Sequence, residues 1–254
     1  MPLPRIEIVI PVYNEGPNIR SVLESFRRDV KTPYSVLICY DHEKDTTLEA
    51  LAALSSDDYH YSLVRNHGRG VLDAIRAGFQ RTTAPYVFTF PADDDYNASR
   101  FDAMIERAVA GCDIVCASRF MHGGCMIGCW WVKAVLVRSA GALLYHIGRL
   151  PTHDPTNGFR LFSRRMIDVI PIESEFGWAF SLELLVKCHR LGWRIEEIPA
   201  EWHERKVGKS RFRTFGLMPQ YLRWLFFALA TTWLRRPSST VPLRSEPGGL
   251  APTL

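Results

Sequence analysis

Three consecutive carboxylates, Asp93, Asp94 and Asp95, follow the apolar run Tyr86–Phe90 in the stretch YVFTFPADDDY. Like charges this close repel one another and destabilise the chain locally unless a cation neutralises them. Clusters of oxygen ligands suit Mg²⁺ or Mn²⁺, which carboxylates typically hold against the phosphates of a substrate. The alternative is a solvated acidic loop. Two further acids, Glu15 and Asp41, also come just after apolar runs, IEIVIPV and YSVLICY. Glu183 stands among Phe180, Leu182, Leu184 and Leu185, where a charge is costly without a partner. It reads as a functional carboxylate or as half of an ion pair tying two elements together. A cationic run, RKVGKSRFR, occupies 205–213.

The acids need a scaffold, and the local pattern supplies one. Tyr86–Phe90 combines aromatic and β-branched residues between Pro85 and Pro91, the signature of a short buried strand. Ile6–Val12, Tyr34–Tyr40, Tyr59–Arg65 and Ile114–Ala117 read the same way. Helices alternate with them: from Pro17 to about Arg28, over Thr46–Leu54, from Gly68 and Gly70 through Gly78, and from Ser99 to about Gly111. This alternation predicts a mostly parallel sheet covered on both faces, with ligands bound at the carboxyl ends of its strands. Glu15, Asp41 and Asp93–Asp95 would then line one crevice. The glycines at 68 and 70 lack the later glycine of a dinucleotide fingerprint, and no Walker G-K-[ST] occurs. Any nucleotide phosphates must therefore be held by a metal and side chains.

The second half changes character. Trp130–Gly148 reads as an apolar helix interrupted by Lys133, Arg138 and Ser139, and a turn-rich loop, Asp154–Arg160, feeds Leu161 and Phe162. A helix over Phe176–Leu191, a strand over Ile195–Pro199 and a helix over Leu217–Leu234 follow. The last falls short of the ~20 apolar residues of a spanning helix. Its Tyr221, Trp224, Phe226, Phe227 and Trp233, flanked by Arg235 and Arg236, fit a helix lying in a membrane interface, with a core helix as the alternative. From Pro237 onward Pro, Ser and Gly dominate, which predicts a disordered tail.

With 254 residues, 47% of them hydrophobic and 23% charged, the chain suits one large α/β domain or two small ones. A net charge of +4 is too mild to imply nucleic acid. The crowding of basic residues in the C-terminal third points to anionic lipid or phosphate. The opening MPLPRIEIVI has no signal pattern, so secretion is not expected. The six cysteines include C-x₃-C spacings and not the C-x₂-C of common zinc sites, and are expected to be reduced and mostly buried.

Taken in order, these landmarks resemble the family 2 glycosyltransferases, and within them the dolichol-phosphate mannosyltransferase-like branch. The matching residues are Pro11-Val12-Tyr13-Asn14-Glu15, Asp41 with Asp45-Thr46-Thr47, the Asp-rich motif, and Ser118-Arg119-Phe120 with Gly123-Gly124. Asp154 with Gly158-Phe159-Arg160, Phe180–Leu185, and Pro199 with Glu204-Arg205 and Gly208-Lys209-Ser210 complete the series. The resemblance implies a GT-A fold, a Rossmann-like and mostly parallel sheet flanked by helices, plus a C-terminal amphipathic helix. Its expected parts are a nucleotide-sugar half (1–117), an acceptor half (118–215), an interface helix (216–236) and the tail (237–254).

The same resemblance implies that Pro11, Tyr13, Glu15 and Asp41 face the nucleoside of a GDP- or UDP-hexose. Asp93 and Asp95 satisfy the family's D-x-D and would hold Mg²⁺ or Mn²⁺ on the diphosphate; Asp94 takes the second place in a shifted alignment. Two departures stand out. Tyr96 and Asn97 replace the Gln usual after the second Asp, and Tyr40-Asp41 replaces a pair of aspartates. Arg119, Arg205 and Lys209, helped by Arg211, would hold an acceptor phosphate, and Ser139 would lie on the phosphate-facing helix. The acceptor is expected to be a polyprenyl phosphate or another lipid, and the location the cytoplasmic face of a membrane, peripheral or monotopic. A membrane-protein partner is also implied, because many relatives carry spanning helices that this chain lacks. A hydroxyl acceptor would instead need Glu183 or Asp154 as base, although in this branch Glu183 is expected to pair with a cation. A non-catalytic, membrane-docked nucleotide-binding subunit is the alternative of another class.

Overall fold

The structure, a computed structural model, describes residues 5–54, 59–204 and 214–244. In chain order its strands are β1 (Ile6–Val12), β2 (Tyr34–Tyr40), β3 (Tyr61–Arg65), β4 (Tyr86–Thr89), β5 (Ile114–Ser118), β6 (Cys125–Ile127), β7 (Arg160–Ser163), β8 (Ile195–Pro199) and β9 (Glu201–His203). The helices are α1 (Gly16–Asp29), α2 (Thr46–Ala52), α3 (Gly70–Arg81), α4 (Phe101–Val109), α5 (Trp131–Ala142), α6 (Arg164–Val169), α7 (Ala179–Arg190) and α8 (Thr214–Trp233).

Seven strands form one sheet in the order β3-β2-β1-β4-β7-β5-β8. The first four are parallel, so β1, β2 and β4 end at the same edge. β7 runs antiparallel to both β4 and β5 and carries the Asp154–Arg160 loop to the same edge. β6 and β9 pair beside the sheet as a separate two-stranded ribbon. Alternation along β1 divides the core: Ile8 and Ile10 pack with α1 and α4, while Val9 packs with the cluster of α3, α7 and α8.

The loops at the functional edge are held by side chains. Asp45 caps α2 through Thr47 N (2.9 Å) and accepts from Asn14 N (3.0 Å), while Glu15 N donates to Thr47 Oγ1 (2.9 Å). Asn14 is left-handed at φ 56°. The ends of β1 and β2 are thereby locked together.

α8 has one face in the core and another that leaves apolar side chains exposed. Trp224 and Ala228 are buried against α7, and Tyr221 and Phe227 pack on the same cluster, whereas Met218, Leu222, Phe226 and Trp233 are exposed. Tyr221, Trp224 and Phe227 therefore leave the interfacial set that the sequence suggests. Among the described residues no helix is long and apolar enough to cross a membrane. The tail beyond Pro237 is ordered as far as 244: Val241 is buried, and Arg244 donates from its backbone to Val169 O (2.8 Å). Residues 245–254 lie outside the described residues. The cysteines are all free, and four of them are buried.

Candidate active site

The acids after β1, β2 and β4 meet at one sheet edge, each seated differently. Glu15 is buried at the start of α1, and its Oε2 accepts from Asn18 Nδ2 at 2.8 Å. Asp41 accepts from Asn66 Nδ2 (2.7 Å) and from Gly70 N (2.9 Å) at the start of α3, which fixes both carboxylate oxygens. Tyr13 is exposed, with its ring edge-on to His42 at 5.3 Å. Pro11 lies within β1, in register with Cys39.

In the Asp-rich motif the central residue turns inward. Asp94 is buried and accepts from Asn97 N (3.0 Å), Asn97 Nδ2 (2.7 Å) and Tyr96 N (3.3 Å). Burial pushes its carboxyl up to about 7, against the pull of the Asn97 and Tyr96 hydrogen bonds. Asn97 also donates to Glu201 O (2.9 Å), so Asp94 ties the motif to β9. Asp94 is thus a brace, and Asp93 and Asp95 flank it, half-buried and exposed respectively. Their hard oxygen donors fit Mg²⁺ or Mn²⁺. Among the described residues no group of three His, Cys, Asp or Glu side chains forms a complete metal cage. Any ion held by Asp93 and Asp95 would take its other oxygens from ligand or water. Tyr96, one of the two residues standing in place of the usual Gln, accepts from His203 N at 3.1 Å and lies against the His203 ring.

On the acceptor side the charged residues are largely paired. Arg119 forks onto the fully buried Asp154 with Nε–Oδ2 at 2.6 Å and Nη2–Oδ1 at 2.8 Å, and its backbone N donates to the same carboxylate at 3.0 Å. Thr156 Oγ1 accepts from Arg119 Nη2 at 3.1 Å. Most of the Arg119 fork is therefore spent on holding the 154–160 loop, and Asp154 is in no position to take a proton from an acceptor. Glu183 is also fully buried: it binds Lys187 Nζ (2.6 Å) and accepts from Glu173 N (2.6 Å) and Ser174 N (2.7 Å). Its expected cation is thus Lys187, one turn along α7, and the geometry makes it a brace and not a base. Ser139 is exposed on α5. Its neighbour Arg138 lies over Phe120, on whose ring Arg119 also rests, and Lys133 lies over Trp202 at 4.5 Å. Arg205 and Lys209 lie outside the described residues.

A model of "Glycosyl transferase family 2" matches residues 7–170. The chain belongs to that family. It is 26% identical over 219 residues to the polyprenol monophosphomannose synthase of Mycolicibacterium smegmatis, covering 83% of this chain and 82% of that protein. It is 29% identical over 216 residues to the undecaprenyl-phosphate mannosyltransferase of Micrococcus luteus, covering 82% and 87%. Its fold matches glucosyl-3-phosphoglycerate synthase from Mycobacterium tuberculosis, solved with Mn²⁺, UDP and phosphoglyceric acid, with a TM-score of 0.67 at 17% identity over 89% of this chain and 78% of that one. The α/β GT-A fold and the dolichol-phosphate mannosyltransferase-like branch are the ones the motifs imply.

Several contributors to this glycosyltransferase site are not evident from sequence. Asn66 and Asn97 carry no motif of their own, yet they orient Asp41 and Asp94. Asn66 directly follows β3 but is 25 residues from Asp41, and Asn97 stands three residues after Asp94, well past the end of β4. Trp202 and His203 belong to β9, whose three residues are too few to show a period.

Proposed function

We propose that the protein is an inverting, metal-dependent hexosyltransferase moving mannose or glucose from a GDP- or UDP-hexose to a polyprenyl phosphate at a membrane surface. The observation that carries the acceptor class is the burial of Asp154 and Glu183 in ion pairs. A hydroxyl acceptor loses its proton during attack and needs a base. A phosphate oxygen is already anionic and needs only to be held in line with the donor. The names of the two similar mannosyltransferases support the same class of acceptor.

Pro11, Tyr13, Glu15 and Asp41 would bound the nucleoside pocket. Asp93 and Asp95 would hold Mg²⁺ or Mn²⁺, whose chemistry when bound is to neutralise the charge that builds on the departing diphosphate. Arg205, Lys209 and Arg211 would bring cationic groups to the acceptor phosphate, with Lys133 and Arg138 of α5 nearby. Apolar residues exposed on α5 and α8, among them Trp131 (71% exposed) and Phe226 (63%), would dock against lipid on the cytoplasmic face, peripherally and with a membrane-protein partner. The test is transfer from labelled GDP-mannose and UDP-glucose with Mn²⁺ on vesicles. Product should form with polyprenyl phosphate and not with polyprenol, and should stop on chelation. Transfer to the alcohol at an equal rate would reverse the acceptor assignment.

A further inference from the structure

A cavity of about 430 Å³ lies at the sheet edge opposite the acids, where β1 and β4 begin and β7 ends. The end of α3, α6, the middle of α7 and Arg244 enclose it. Its floor is apolar: Phe79, Ile167, Ile170 and Leu184 are buried and belong to one core cluster. Its mouth opens to solvent between Gln80, Asp168 and Arg244, all of them exposed. The guanidinium groups of Arg76, Arg164 and Arg244 line it against the single carboxylate of Asp168. Small-molecule pockets typically have volumes of about 300–1,000 Å³ and apolar walls set with a few polar groups.

The charges around this cavity do not balance. Arg164 gives Nη1 to Asp168 (3.3 Å), Nε to Ala84 O (3.1 Å) and Nη2 to Thr82 Oγ1 (2.9 Å). Arg76 is held by Asp73 (3.1 Å) and by the carbonyls of Ile172 and Ser174. Arg244 makes one side-chain bond, from Nη1 to Ile167 O (3.0 Å), and its Nε and Nη2 have no partner among the described residues. Other acids close by are engaged elsewhere. Glu7 Oε2 accepts from Thr83 N and Ala84 N, Asp113 pairs with Arg165, and Glu173 pairs with Lys187 and Arg223. Arg76 and Arg164 thus each have a carboxylate, and Arg244 has none among the described residues. An exposed guanidinium needs no partner for stability, so the telling feature is where it stands. Free donors rim a hollow whose apolar floor stays wet when water fills it, and an apolar body displacing that water gains free energy.

We propose that this cavity binds a small anionic amphiphile, its apolar body on the floor and its carboxylate or phosphate at the mouth, held by Arg244 in the field of Arg164 and Arg76. The site is distinct from the transfer site and stands independently of the acceptor class proposed above. α3 runs between the two, since its first residue, Gly70, donates to Asp41 and its last turn, with Phe79, walls the cavity.

The experiment is calorimetric titration, with thermal shift alongside, of the full chain with decanoate, decyl phosphate, decanol and inorganic phosphate, the amphiphiles below their micellar concentrations. Decanoate or decyl phosphate should bind one to one and raise Tm, and the tighter of the two names the headgroup. Decanol and inorganic phosphate should each bind at least about tenfold more weakly. Arg244→Met should weaken binding by about tenfold, which is what one hydrogen bond to a charged group contributes. Gln80→Glu, which sets a carboxylate at the mouth, should weaken it by a similar factor. Both positions are exposed, so the Tm of the free protein should hardly move. Trp131→Ser with Phe226→Ser, on the apolar faces of α5 and α8, should leave binding unchanged.

Decanol binding as tightly as the anions, no binding of either anion, or binding that survives Arg244→Met and fails in the Trp131 and Phe226 variant would overturn the inference. Glu246 follows Arg244 two residues on in sequence. Wild type that binds neither anion until Glu246→Gln is introduced would make the chain's own carboxylate the occupant, and that too would overturn it.

Discussion

Glu183→Gln separates the two acceptor classes, because the structure gives this carboxylate a measurable structural task. Its oxygens take Lys187 Nζ at 2.6 Å and two loop N–H groups, those of Glu173 and Ser174, at 2.6 and 2.7 Å. An amide is neutral and presents an NH₂ group to one of these donors, so one buried donor loses its acceptor, at a cost of about 1–3 kcal/mol. Breaking a buried ion pair costs about 3–5 kcal/mol when the remaining charge is left alone. Lys187 is not left alone, since Glu173 Oε2 stays at 2.8 Å and Pro171 O at 2.7 Å. The two effects together should therefore come to about 3 kcal/mol. For a domain of this size that lowers Tm by roughly 6–12 °C. Urea unfolding and calorimetry read the stability, and transfer assayed well below Tm reads turnover per folded molecule. We expect turnover within about threefold of wild type. A fall of about 10²–10⁴ at unchanged stability, the size of effect a general base gives, would refute the reasoning and restore a hydroxyl acceptor.

Arg119→Ala should destabilise by about 3–5 kcal/mol, because it leaves Asp154 fully buried and unpaired; Arg119→Ala combined with Asp154→Ala should recover part of that loss in denaturant titrations. Gly158→Ala should cost about 1–3 kcal/mol, since a Cβ there would meet Trp178 Cε3 and Cζ3 at 2.5 Å. Trp131→Ser together with Phe226→Ser should weaken sedimentation with anionic vesicles by at least about tenfold, given ~1.5–3 kcal/mol for burying a large apolar side chain, with donor binding unaffected. Equal loss of donor binding would mean that these residues support the fold.

Much of the N-terminal half was legible from sequence because β1, β2 and β4 are buried on both faces over most of their length. Ile6–Val12 and Tyr34–Tyr40 have the limits that their apolar runs between breaker residues indicate. The convergence of Glu15, Asp41 and Asp93–Asp95 follows from strand ends sharing an edge. The strand β7 was not legible: its four residues follow a turn-rich loop, and its antiparallel insertion between β4 and β5 is decided by tertiary packing. β6 and β9 have three residues each and pair only with one another. Arg119 and Asp154 are 35 residues apart, with no local spacing to announce their fork. The inward turn of Asp94 depends on Asn97 and on Glu201, which is 104 residues from Asn97. Sequence shows three adjacent acids, whereas burial separates one brace from two flanking carboxylates.

The account depends on a cation seated between Asp93 and Asp95 gripping the donor's diphosphate. The most direct measurement is calorimetric titration of GDP-mannose and UDP-glucose into the protein with and without Mn²⁺, for wild type, Asp93→Asn and Asp95→Asn. We predict that one donor binds wild type at least about tenfold more tightly with Mn²⁺ and that either substitution abolishes the gain. Equal donor affinity with and without Mn²⁺, or a metal-dependent gain that survives both substitutions, would contradict it.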